Sequence, residues 1–549
     1  MAESDFQLSE SRGRQASILI GIMALPFLWV HPADPLRARQ RSDQSLPGRH
    51  TYYVDAMSGD DGNRGTSNLR AWKTLERVDG TVFVPGDSIL FKSGGTWAGQ
   101  LSPKGSGTEP QPIHIGKYGG DAKPVIDGAG TVEDVLLLKN QEYWEVQDLE
   151  ITNTGKGAAP RRGVHLIADN YGEMHHIYLR SLTIHDVNGT DSDKVNGGIH
   201  YSAIGDTKPS RFVDLRIEGN RIYNVDRNGI YGGSTHWMRS KWYPSLGVVI
   251  RNNVLDDIGG DGIVAVATDG ALVEHNVVSR ANQRSEGYNV AIWAWSADNT
   301  IIQYNEAYLT HGFRDSYGFD SDWNSRNTLI QYNYSHDNQG GFLLICNEGT
   351  QKAEASIGNI GTIARYNISQ NDGWRGINIS GPVSQTQIYN NTIYTTKGRT
   401  VDLVLYSDWG GWASDTEFYN NLFYAGGQAV FSYAVSHNDG GTYITRAGFG
   451  ASRNNVFDYN AYFGEIQVPP DPHPLIVDPM LIDPGSAAEG RATLGGYEVR
   501  PGSPLINSGK TIQKSGGKDF WGAPVPACGG TDRGAAEFDR CSELIKPKP

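Results

Sequence analysis

LIQYNYSHDNQGGFLLIC, residues 329–346, decides the fold because the chain repeats its pattern many times. A short apolar strand ends in asparagine and a second short strand follows. A polar turn comes next, and glycine opens a third strand. The same phrase reads IEGNRIYNVDRNGIYGG at 217–233, IRNNVLDDIGGDGIVAVAT at 250–268 and IARYNISQNDGWRGINIS at 363–380. The marker asparagines are Asn220, Asn253, Asn276, Asn305, Asn333, Asn367, Asn391, Asn421 and Asn455. Their spacing is irregular and shorter than the ~40–45 residues of a propeller blade. The β-branched content and the lack of a helical apolar period argue against helical solenoids. Three strands and three turns per repeat make one coil of a right-handed parallel β-helix, an all-β solenoid. Asparagine at a turn tolerates left-handed backbone, and its amide can bond backbone groups. Stacked coil on coil, such amides form a ladder.

The composition fits. Glycine is frequent, with 68 in 549 residues, as many short strands and tight turns require. The net charge of −13 repels nucleic acid and anionic membranes, so neither is expected as a partner. There are three cysteines. Cys346 reads as a small buried apolar residue in FLLIC. Cys528 and Cys541 flank a loop and either pair or stay free. No Cys/His cluster has zinc-ligand spacing. Residues 18–30 are apolar and follow Arg12 and Arg14. That run is too short for an ordinary span and suits a signal-peptide core, so export to an extracytoplasmic compartment is expected. A membrane anchor or a misplaced start is the rival. The organisation is then a leader and linker over 1–50, one β-helix domain over 51–540 and a tail over 541–549.

Aligning the glycine-led strands places Val164, Ile199, Ile230, Ile263, Phe319, Phe342 and Ile377 in the coil interior. Alternation then turns the next positions outward. In order these are His165, His200, Tyr231, Val264 and Val266, Trp293 and Trp295, Asp320 and Asp322, Leu343 and Ile345, and Asn378 and Ser380. Neighbouring coils lie about 4.8 Å apart. Trp293 and Trp295 therefore sit beside the Asp320–Asp322 pair on an exposed face. Outward tryptophans are wasteful unless something covers them, and a sugar ring can do so. Two carboxyls beside such a platform are what glycoside hydrolysis uses. Residues i and i+2 are roughly 6.7 Å apart at Cα, which tilts the expectation towards inversion. Like charges at that range raise one pKa and make an acid. Rival readings are Ca²⁺ held by the paired aspartates, ordinary solvated surface, and tryptophans covered by a loop. Otherwise no cofactor is expected.

Glu348 in CNEG is the alternative acid, reaching back to Asp322. Arg314 either grips substrate or fixes Asp322 through a bidentate pair. His336, in SHDN, is placed at the cleft. The long loop 231–247 offers Trp237, Trp242 and Tyr243 as a cleft wall. Asp261 and Asp269 read as turn residues.

YYVDAMSGDDGNRGT (52–66), AWKTLERV (71–78) and PGDSILFKSGGTW (85–97) resemble the N-terminal strand and capping helix of the right-handed β-helix, pectate-lyase-like superfamily. PGSPLINSGK (501–510) and DRGAAEF (532–538) resemble its C-terminal coil. The resemblance covers about residues 51–540 and implies a carbohydrate-active enzyme. Asp322-Trp323 resembles an Asp-Trp pair of β-helix xylosidases. YGFDSDW also resembles the Tyr-Gly-x-Asp-Pro-His-Asp strand of mannuronan epimerases through Tyr317, Gly318 and Asp320. However, Asp322 stands at the histidine and Trp323 at the following acid. A lyase of this fold implies a lysine or arginine base, and no lysine lies between GIVAVAT and GFLLIC. The expectation is a glycoside hydrolase acting on a polysaccharide or oligosaccharide. A lyase or epimerase is the runner-up, and a non-catalytic glycan binder is the third reading.

Overall fold

The computed structural model describes residues 49–435 and 444–544. The expected leader at 18–30 lies outside them. Three ladders of parallel strands run through the described residues from Thr51 to Ile476. One begins at Thr51–Val54 and ends at Val456–Asp458. A second contains Thr183–Val187, Arg221–Val225 and Tyr334–His336. The third carries the glycine-led strands. It comprises β1 (Asp134–Lys139), β2 (Arg162–Asp169), β3 (Gly197–Ile204), β4 (Asn228–Ser234), β5 (Ile263–Val266), β6 (Ile292–Trp295), β7 (Tyr317–Ser321), β8 (Gly341–Cys346), β9 (Arg375–Ser380) and β10 (Val401–Ser407). Each pairs in parallel with the next, as a β-helix requires. The expected helix spans Leu75–Asp79 and is capped by Thr74, whose hydroxyl accepts from Arg77 N.

The interior is apolar, with Val164, Ile230, Ile263, Phe319 and Ile377 fully buried. The asparagine ladder runs unbroken from Asn220 to Asn421. Each rung's Nδ2 and backbone N–H donate to the Oδ1 of the next, as Asn276 does to Asn305 at 3.0 and 2.9 Å. The ladder's last rung is Asn460, which accepts from Asn421. Asn455 is not part of it and bonds Ser452 and Thr416. The repeat lengthens at its end, and this hides the true rung from a spacing argument.

A second difference is a one-residue slip at β8. Phe319 pairs with Leu343 and Asp320 with Leu344. Leu343 and Ile345 therefore join the core, while Leu344 and Cys346 take the outward positions. The cause is the Gly340-Gly341 doublet. Gly341 stands opposite Tyr317, not Gly318, at φ +149°, where a Cβ would lie 2.1 Å from Arg375 O. The C-terminal segment also does more than cap the last coil. Leu494, Tyr497, Leu505, Phe520 and Phe538 bury themselves with Tyr334, Ile368 and Leu422 of the second ladder. Cys528 and Cys541 are joined in a disulfide there.

Candidate functional site

The outward column of the third ladder reads His165, His200, Tyr231, Val264, Trp293 and Asp320, each paired with the next. Asp322 follows Asp320 by two residues, and its N–H bonds Ala294 O on the neighbouring coil. Cys346 occupies the corresponding place one coil on. Its thiol donates to Asp322 Oδ1 at 2.8 Å and lies 3.9 Å from Asp320 Oδ1. A carboxylate oxygen of each aspartate and the Cys346 sulfur fall within 4.8 Å of one another.

Trp293 is not exposed as the sequence suggested. Only 7% of it is accessible, and its Nε1 donates to Asp261 Oδ1 at 3.0 Å. Asp261 is itself fully buried and belongs to the site, not to a turn. It also accepts from Val290 N and from Lys194 Nζ at 3.0 Å. Asp269 does stay near a turn, bonded to Asn299. Lys194 comes from the segment before β3. Its ammonium lies 5.1 Å from the Trp293 ring centroid and donates to Tyr288 O. Trp295 is half-buried and packs with Trp237 and Trp323 at centroid distances of 5.3 and 5.4 Å. The 231–247 loop is fastened over them. Ser296 and Asn324 donate to Trp237 O, and Arg239 holds buried Asp298 at 2.7 and 2.9 Å while stacking on Trp242. Trp237 and Trp242 thus form a fixed wall beside the acids.

The acids differ in environment. Asp320 is 3% exposed; burial, then the charges of Asp322 and Asp315, push it well above the ordinary carboxylate range. Burial also raises Asp322, but the Cys346 thiol, Trp323 N–H and Lys194 oppose that rise. Asp322 therefore ionises first and Asp320 keeps its proton. A third carboxyl, Asp315, is half-buried and pushed to about 7 by burial and by Asp322, against Lys194 and Arg375. Arg375 donates to the Tyr317 hydroxyl at 2.8 Å, and Asn378 bonds the same oxygen.

Several expected residues stand elsewhere. Glu348 does not reach Asp322, because its two oxygens accept from Thr350 and Gln351 in its own turn at 2.7 Å each. Arg314 does not pair with Asp322. It is exposed and stacks on Tyr288 at 4.7 Å. His336 lies on the second ladder, not at the cleft. It is bonded to Glu306 and Asp337 at 3.1 and 3.0 Å, which raises it to about 9 despite its burial. Its face is the one covered by the C-terminal segment. His200 and Tyr231 share the column but lie four and three coils before Asp320, about 19 and 14 Å along the axis. His200 bonds Tyr231 O at 2.9 Å, and burial drops it to about 3.

Asp315, Lys194 and Arg375 escape the sequence reading, which takes Asp261 for a turn residue and Cys346 for a core residue. Asp315 had a usable signal, since it lies two residues before β7. Lys194 had none, because 126 positions separate it from Asp320. Of Asp320, Asp322 and Cys346, only the two aspartates offer the oxygen ligands that Ca²⁺ takes. Here two carboxylates share their centre with a neutral thiol.

The chain matches the model of the right-handed β-helix region over residues 210–360. It is 30% identical to a lacto-N-biosidase of Bifidobacterium longum subsp. longum, across 97% of this chain and 39% of that protein. The chain thus spans well under half the length of that relative. An α-1,3-galactosidase A of Akkermansia muciniphila is 31% identical over 84 residues, 15% of this chain and 14% of that one. Among solved structures, the native GH136 lacto-N-biosidase of Eubacterium ramulus superposes with a TM-score of 0.55 at 29% identity. That match covers 63% of this chain and 64% of that one.

Proposed function

We propose that this chain is a glycoside hydrolase that cleaves an oligosaccharide at the Asp320–Asp322 face, with a lacto-N-biosidase type of action. The observation carrying the reading is a carboxyl, Asp322, that gives up its proton before its neighbours Asp315 and Asp320 and stands beside a tryptophan wall. Asp322 attacks the anomeric carbon. A neutral neighbour gives its proton to the leaving oxygen as the C–O bond breaks. Asp320 is one donor and the more accessible Asp315 is the other. The near oxygens of Asp320 and Asp322 lie within 4.8 Å. That is nearer the ~5–5.5 Å carboxyl separation of retaining enzymes than the wider one of inverting enzymes, and it favours retention, not the inversion suggested by the Cα spacing. Similarity to the lacto-N-biosidases supports the substrate class.

Lys194 supplies the cation missing from the sequence run, yet it does not favour elimination. Its Nζ donates to Asp261 and to Tyr288 O, so it is engaged as a hydrogen-bond donor and not free as a base. The N-terminal apolar run supports export.

The test is an Asp315→Asn, Asp320→Asn and Asp322→Asn panel on an activated aryl glycoside and on an oligosaccharide. Asp322→Asn loses both activities. The variant lacking the proton donor keeps the aryl substrate and loses the oligosaccharide. Full activity of Asp322→Asn on the oligosaccharide refutes the reading.

A further inference from the structure

The chain has three cysteines, and the disulfide uses two. The remaining thiol, Cys346, is 3% exposed and has no apolar reason to touch carboxylates. The one-residue slip at β8 turns it outward, against Asp322. There it shares a target with a backbone donor. Cys346 Sγ at 2.8 Å and Trp323 N at 2.7 Å both bond Oδ1 of Asp322. Oδ2 receives neither. The two oxygens of this carboxylate are thus made unequal by the fold.

We propose that Cys346 is a positioning residue for Asp322: its thiol locks Oδ1 in place and leaves Oδ2 as the oxygen that meets the anomeric carbon. This rests on the hydrolase reading above. A thiol suits the task for two reasons. Burial, and then the charges of the neighbouring carboxylates, suppress its ionisation, so it remains a donor over the whole working pH range. Its long C–S bond also reaches across the coil spacing, where the next outward residue, Ser380, continues the column. The clamp holds Asp322 ionised while Asp320 keeps its proton. Loss of the donor therefore weakens the distinction between the two acids.

Two variants and one spectrum test this. Cys346→Ala lowers kcat about tenfold, leaves KM within about twofold and moves the acid limb of the pH–rate profile upward. Cys346→Ser restores the donor and recovers most of kcat and the profile. A merely structural role predicts equal losses in both variants, with the acid limb unmoved, and that result overturns the proposal. The second readout needs no turnover. Cys346 supplies the only S–H stretch in the Raman spectrum of the oxidised protein, and Asp322→Ala shifts it to higher frequency. An unshifted band overturns the thiol–carboxylate contact. A shifted band in a chain that hydrolyses no glycoside keeps the contact and refutes the hydrolase reading instead.

Discussion

Replacing Asn305 by alanine removes one rung from the middle of the amide ladder. Four hydrogen bonds go with it. Asn276 loses the acceptor for its backbone N–H and for one Nδ2 hydrogen, at 2.9 and 3.0 Å. Val273 O loses its side-chain donor at 2.9 Å, and Asn333 Oδ1 loses one of two donors at 3.1 Å. Asn333 Oδ1 still accepts from Asn305 N, so three groups are left with an unmet bond in a fully buried strip. At about 1 kcal/mol for each stranded group, the lower end of the usual penalty, the cost is about 3 kcal/mol. Guanidinium unfolding of Asn305→Ala, read by circular dichroism against the parent, measures it. The double variant Asn305→Ala/Asn333→Ala costs less than the sum of the two singles, because the rungs share a bond. A loss below about 1 kcal/mol, or strict additivity, refutes the view that the ladder carries stability.

Other outcomes follow from the same structure. His336 is raised to about 9 by Glu306 and Asp337, so its contribution is full below the unfolded value near 6.5 and disappears as pH rises through 9. Unfolding scans should show about 3 kcal/mol lost between pH 6.5 and 10, and His336→Gln should flatten that slope. Trp295→Ala opens the wall shared with Trp237 and Trp323; kcat/KM should fall about tenfold with the far-ultraviolet spectrum unchanged. Arg239→Ala strands Asp298, which retains only Arg326, and should cost about 3 kcal/mol in a thermal scan while loosening the 231–247 loop to proteolysis. Reducing Cys528–Cys541 opens a 13-residue span and should lower stability by about 3 kcal/mol.

The fold was legible because its cause is periodic. Each coil must bury one apolar residue after its glycine and pin one asparagine at its turn, so the sequence repeats those demands where the eye can find them. The register failed only at Gly340-Gly341, where two glycines fit one slot and alternation cannot choose between them. The site was half legible. Asp320, Asp322, Trp293 and Trp295 stand on one strand period, and β6 and β7 bring them together. Lys194 and Asp261 arrive from other coils, and no local period encodes that meeting. Glu348 and His336 were misplaced for the opposite reason. Closeness along the chain put them near the aspartates, but a turn holds one and another ladder carries the other. Burial was also underestimated. A sheet face that looks solvated from alternation is roofed here by a loop whose anchor, Arg239 to Asp298, spans 59 residues.

The central claim is that the face around Asp322 cleaves glycosidic bonds. Its most direct test gives purified protein a panel of neutral oligosaccharides of the lacto-N class together with uronate polymers. New reducing ends and the ultraviolet absorbance of unsaturated uronate are read in parallel, with Asp322→Asn alongside. The account predicts reducing ends from the neutral oligosaccharides, no absorbance, and silence in the variant. Absorbance from the uronate polymers, or reducing ends that survive Asp322→Asn, would contradict it.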